Sequence, residues 1–120
     1  MGVYVFECLH APYIKVGHHL QRRGRQNPYY RIAGRGFQPV VHPEELDGLL
    51  YEPHLRLVAW FPGLTREDER EVHTAFKTRR IGEFHRKEDE DDVLTILDSK
   101  GERKDVSLRS KERAMRWGMR

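Results

Sequence analysis

Two short runs near the start of the chain constrain the fold most. VYVFEC (residues 3–8) and YIKVG (13–17) are both β-branched and aromatic, and the few residues LHAP between them supply a turn. Runs of this kind at this separation predict a β-hairpin. LRLVAWF (55–61) predicts a third strand. Thr65 after the Pro62-Gly63 break is suited to cap a helix, with Asp68 at its third position, and that helix is expected to reach about Arg79. Five acids at 88–92 stand before VLTIL, and Lys100-Gly101 follows, which favours a helix whose dipole is complemented at both ends. A hairpin pairing VLTIL with VSL across SKGERK is the competing reading, because the apolar run is short.

Between these elements, QRRGRQNP is too rich in Gly and Arg for regular structure. Asn27 and Pro28 then suit the start of a short helix ending near Gly34 or Gly36. Residues 37–54 hold three prolines and read as an irregular surface excursion with at most one helical turn at 44–50. The expected class is α+β, a small three-stranded antiparallel sheet flanked by helices. Residues 1–99 form the domain and 100–120 a basic tail, helical only when something anionic or apolar holds it.

The 120 residues leave room for one core, and 38% hydrophobic against 34% charged residues implies a modest one with a polar surface. No apolar run approaches the roughly 18 residues of a bilayer-crossing helix, and the start lacks a basic region followed by an apolar stretch. With Cys8 as the only cysteine, an intramolecular disulfide is impossible. The expected location is intracellular, cytoplasmic or nuclear, with no membrane partner.

Charge is more informative by position than in total. The net is only +3, yet Arg22, Arg23, Arg25, Arg31 and Arg35 fall between Lys15 and Arg35 without one acid, interleaved with Tyr29 and Tyr30. Such a stretch suits a polyanion or is a solvated basic loop.

Three positions carry candidate chemistry. Glu69, Val72 and Phe76 fall at i, i+3 and i+7 of the helix after Thr65, so Glu69 either continues an apolar stripe to the edge of a cleft or is a first-turn acid favoured by the dipole. Lys15, between Ile14 and Val16, either reaches solvent at a sheet edge or points into a polar site. Tyr4 alone says little, since strands commonly bury tyrosine. Cys8, His10, His18 and His19 have the residue types of a zinc site, although the spacing is atypical and adjacent histidines on a strand point to opposite faces. His42, His54 and His85 read as surface or loop residues, and His73, one turn after Glu69, lines a cleft or packs.

Taken in order, these residues resemble the GIY-YIG nucleases over about residues 2–85. Gly2-Val3-Tyr4 matches the first element, and Lys15-Val16-Gly17 the second, with Lys in place of its tyrosine as in the phage-type branch. NPYYRI matches the helix with an essential arginine, here Arg31, while Arg22, Arg23 and Arg25 are rivals. EREVHTAF matches the helix with the metal-binding glutamate, here Glu69, and RRIGEFH the closing strand-like motif.

The resemblance implies a metal-dependent endonuclease acting on duplex or branched DNA. Glu69 would hold Mg2+ or Mn2+, and Arg31 would clamp a phosphate oxygen. Tyr4 would orient the attacking water, with Lys15 and His18 beside it. His18 is the preferred general base, because a free histidine titrates near neutral pH whereas tyrosine and lysine must be lowered to act. That role requires the strand to end or twist at Gly17, since strict alternation would set His18 opposite Lys15. Arg22, Arg23, Arg25 and Arg35 are the expected phosphate contacts. The alternative is a non-catalytic nucleic-acid-binding domain. The oligomeric state is not legible.

Overall fold

The strand alternation of the hairpin sorts the whole domain. The computed structural model describes residues 1–8, 12–20, 28–29 and 55–118. In it, β1 (Gly2–Cys8) pairs antiparallel with β2 (Tyr13–His19), from Gly2 opposite His19 to Glu7 opposite Ile14. β3 (Leu55–Pro62) lies antiparallel on the other side of β1, with a bulge in the register between Val5 and Phe6. The architecture is α+β, and all strand pairs are antiparallel.

Among the described residues the sheet has four strands rather than three, in the order β3-β1-β2-β4. The addition is β4 (Phe84–Arg86), which sets Phe84 opposite Lys15 and His85 opposite Ile14. Three residues are too few to show a period of two in a sequence. The strand is brought round by a tight turn in which Gly82 has a φ of 59°, a value that favours glycine.

Successive side chains leave a strand on opposite faces, so the sheet carries two cores. Val3, Val5, Ile14, Val16, Ala59 and Phe61 line one, the aliphatic face, which α1 (Arg66–Ala75) and α2 (Glu90–Asp98) cover with Val72, Val93 and Leu97. Each Val, Leu or Phe so buried stabilises the fold by roughly 1.5–3 kcal/mol. Tyr4, Phe6, Cys8, Trp60 and Phe84 line the other, the aromatic face, together with Tyr29. Ala114 of α3 (Leu108–Gly118) is fully buried there, so the basic segment after Gly101 docks on the aromatic face as a helix.

The local signals at the helix ends act as expected. Thr65 caps α1 through a reciprocal pair of hydrogen bonds with Asp68. The helix is shorter than expected and ends at Ala75, followed by turns to Arg79. Asp89 stands at the start of α2, and the acids Glu90, Asp91 and Asp92 fill its first turn. VLTIL is therefore helical and does not pair with VSL. No helix among the described residues is long and apolar enough to cross a membrane.

Candidate active site

On the aromatic face, Tyr4 sits opposite Gly17, and Phe6 opposite Lys15. Lys15 and Tyr4 are therefore diagonal neighbours across two strands, within reach of a long side chain. Lys15 Nζ donates to the Tyr4 hydroxyl at 2.8 Å and pairs with Glu83 Oε2 at 3.0 Å. Tyr4 is 1% exposed and Lys15 3%. A β-carbon on Gly17 would collide with the Tyr4 ring, so the bare glycine is what lets the phenol lie flat across β2. The lysine does not reach out from a sheet edge; it is turned inward onto a phenol. Glu83, in the turn before β4, is a partner that sequence reasoning missed, because nothing in RRIGEFH marks which acid will face a lysine on a distant strand.

The aliphatic face carries a second group of polar side chains. His73 and His85 share a hydrogen bond between Nδ1 and Nε2 at 2.8 Å, one of the two nitrogens carrying the hydrogen. His73 Nε2 lies 3.4 Å from Glu69 Oε1, one turn earlier on α1. His85 is completely buried, a correction to its reading as a surface or loop residue. Its burial follows from β4, which sets it opposite Ile14 on the side α1 covers. Burial, reinforced by His73 and Arg80, brings the His85 imidazole down to a pKa of about 4.

His18 belongs to this second group. β2 runs unbroken through His19, and His18 pairs with Val3. It thus points to the aliphatic face, away from Lys15, and the twist that would have set it beside Tyr4 does not occur. Burial lowers its pKa, while the nearby Glu69 carboxylate pulls it back up. Neither ring nitrogen finds a hydrogen-bond partner among the described residues.

The expected convergence is therefore divided. Tyr4 and Lys15 share one face of the sheet. Glu69 belongs to a helix packed on the other face, where it meets His73 and acts electrostatically on His18. The two groups lie near the same end of the sheet, because Tyr4 pairs with Gly17 and Val3 with His18. Arg31, Arg22, Arg23, Arg25 and Arg35 lie outside the described residues.

The zinc grouping does not form from its described members. Cys8 and His19 share the aromatic face, but His19 is level with Gly2, six residue steps of β1 from Cys8, roughly 20 Å of strand. His18 points the other way, and His10 lies outside the described residues. Burial pushes the Cys8 thiol up to about 11, which removes it as a ready metal ligand or nucleophile.

A hard divalent cation needs oxygen ligands and keeps much of its water. Glu69 meets that need with one carboxylate. Its side chain is 13% exposed, and no lysine or arginine among the described residues pairs with it. Among the described residues, no group of three or more His, Cys, Asp or Glu converges as a metal site, so any cation here would be held mainly by water and substrate. Comparison with family models, with curated proteins and with solved structures finds no match.

Proposed function

We propose that the chain is a metal-dependent endonuclease that hydrolyses DNA phosphodiester bonds. The observation that carries this reading is the hydrogen bond from Lys15 to Tyr4. Burying an ammonium costs several kcal/mol, and structural needs alone are usually met more cheaply by an apolar side chain. An ammonium aimed at a phenol suits the holding of a reactive oxygen in place, which supports the reading.

In this reading Tyr4 orients the attacking water. Lys15 occupies one lone pair of its oxygen and so directs the phenolic hydrogen and the remaining lone pair. Glu83 balances the ammonium and, at 31% exposure, links the buried pair to solvent. Glu69 would hold Mg2+ or Mn2+, and Arg31 would clamp a phosphate oxygen. The cation, when bound, would neutralise charge developing on the phosphoryl group. Because Tyr4 and Glu69 approach β2 from opposite faces, the scissile phosphate is placed across the end of the sheet at Gly17 and His18.

That same separation favours a second reading, nucleic-acid binding without cleavage, in which Lys15 and Tyr4 are a structural pair. Supercoiled plasmid incubated with and without Mg2+ decides between them. The endonuclease reading expects nicked or linear product only with metal, and none from Glu69→Gln or Tyr4→Phe protein that melts normally. A gel shift without shortening of the DNA supports binding alone, and undiminished cleavage by Glu69→Gln removes the site as drawn. Linear and branched duplexes run alongside report the preferred substrate.

A further inference from the structure

The segment after Gly101 holds more than a polar tail. In α3, Arg109, Arg113 and Arg116 recur at i, i+4 and i+7, which puts them within an arc of roughly 60° on the helix surface. All three are exposed, and none has an acidic partner among the described residues. Ala114 lies roughly 130° round the helix from that stripe and is fully buried on the aromatic face. Lys111 Nζ stands 5.2 Å above the Tyr29 ring, a second contact with the same face. The helix is thus oriented by its small apolar side, and its arginine stripe is turned outward beside the sheet face that holds Tyr4 and Lys15.

Like charges three and four residues apart weaken a helix unless an anion lies over them. Seven residues at 1.5 Å rise span about 10.5 Å, which matches about three phosphates at 3.4 Å of duplex axis each. The planar guanidinium fork is matched to phosphate oxygens. An anionic membrane fits less well, because an interfacial helix needs its apolar side free, and here Ala114 on that side is buried against the aromatic face.

We infer that the Arg109, Arg113 and Arg116 stripe of α3 is a phosphate-backbone track for duplex DNA. This inference rests on the nucleic-acid part of the function proposed above and not on cleavage.

The test is fluorescence anisotropy of the full chain with a labelled duplex of roughly 20 base pairs, in EDTA, as salt is raised from about 50 to about 200 mM. Each phosphate contact contributes about 0.9 to the slope of log affinity against log salt, so Arg109→Gln, Arg113→Gln and Arg116→Gln together should flatten it by up to about 2.7. Affinity at the low-salt end should fall at least tenfold. Replacing the same three with Lys keeps the charges and should keep most of the slope, which separates phosphate contact from a folding defect. Arg66→Gln, Arg70→Gln and Lys77→Gln, an equal charge change on and just after α1, should leave the slope near the wild-type value.

An unchanged slope in the α3 glutamine variant overturns the inference. So does an equal loss in the α1 control, or a wild-type chain that does not bind the duplex. Capture by phosphatidylserine vesicles through the same arginines, with duplex binding unaffected, would reassign the stripe to a lipid surface. Because EDTA prevents cleavage, a chain that nicks plasmid yet keeps its slope fails here alone. One that loses its slope but never nicks fails only the endonuclease reading.

Discussion

Lys15 donates from Nζ to the hydroxyl of Tyr4 across 2.8 Å, inside a sheet that leaves neither side chain more than 3% exposed. Removing the acceptor separates its two possible roles. Tyr4→Phe keeps the ring packed against Phe6 and leaves Lys15 its contact with Glu83. The stability loss should therefore be modest, about 1–2 kcal/mol by urea unfolding. If the phenol positions the reacting water, plasmid nicking should fall by about 10²–10⁴ in the same protein. A variant that melts a few degrees lower and cuts at the wild-type rate would show the pair to be structural only.

The Lys15–Glu83 pair should respond unequally to removal of its two ends. Lys15→Met takes a charge out of the core and leaves Glu83 exposed enough to be hydrated, so stability should change by less than about 1 kcal/mol or rise. Glu83→Ala takes the neighbouring carboxylate away from a buried ammonium and should cost about 1–3 kcal/mol. Denaturant midpoints of the two variants at neutral pH check the order. The reverse order would mean that the ammonium is solvated in solution.

How much of this arrangement a reader of the sequence can recover depends on how local each signal is. The hairpin, the Thr65 cap and α2 are written in adjacent residues, through alternation, a side chain three positions away and a block of acids. Lys15 is conspicuous between Ile14 and Val16, but its partner is not. Tyr4 becomes its neighbour only when Phe6 pairs with Lys15, and Glu83 only when β4 closes on β2. His85 looks like a loop histidine because its burial is decided by the pairing of β4 with β2, and its partner His73 lies twelve residues earlier on a different element. The face of His18 was open to strict alternation, and the unbroken strand through His19 follows it. The convergence of Tyr4 with Glu69 came from the resemblance alone, and the register divides the two.

Gly17 predicts a steric test of the same site. Alanine there would place a methyl group against the Tyr4 ring, which packs edge-on against Phe6 and is almost fully buried. Gly17→Ala should cost about 1–3 kcal/mol through overpacking and should displace the phenol from Lys15. Gly63→Ala meets no neighbouring atom but is strained at a φ of 92°, so it should lower stability without touching the Tyr4 site. Nicking rates corrected for the folded fraction separate the two: reduced for Gly17→Ala, unchanged for Gly63→Ala.

The two stacked histidines give the fold a pH dependence whose sign can be worked out. His85 titrates at about 4 when folded and near 6.5 when free, so between those values the unfolded chain binds more protons than the folded one. Stability from this group is therefore complete above about pH 6.5 and is lost as the pH falls towards 4. A difference of about 2.5 pKa units corresponds to on the order of 3 kcal/mol. His85→Phe keeps an apolar ring of similar size beside Phe76 and removes the titration, at the expense of the bond to His73. Urea unfolding at intervals from pH 7 to pH 4 should give a wild-type stability that falls more steeply than that of His85→Phe, the two curves closing on each other towards the acid end. Parallel curves would mean that His85 is hydrated in solution and that α1 does not seal the aliphatic face over β4.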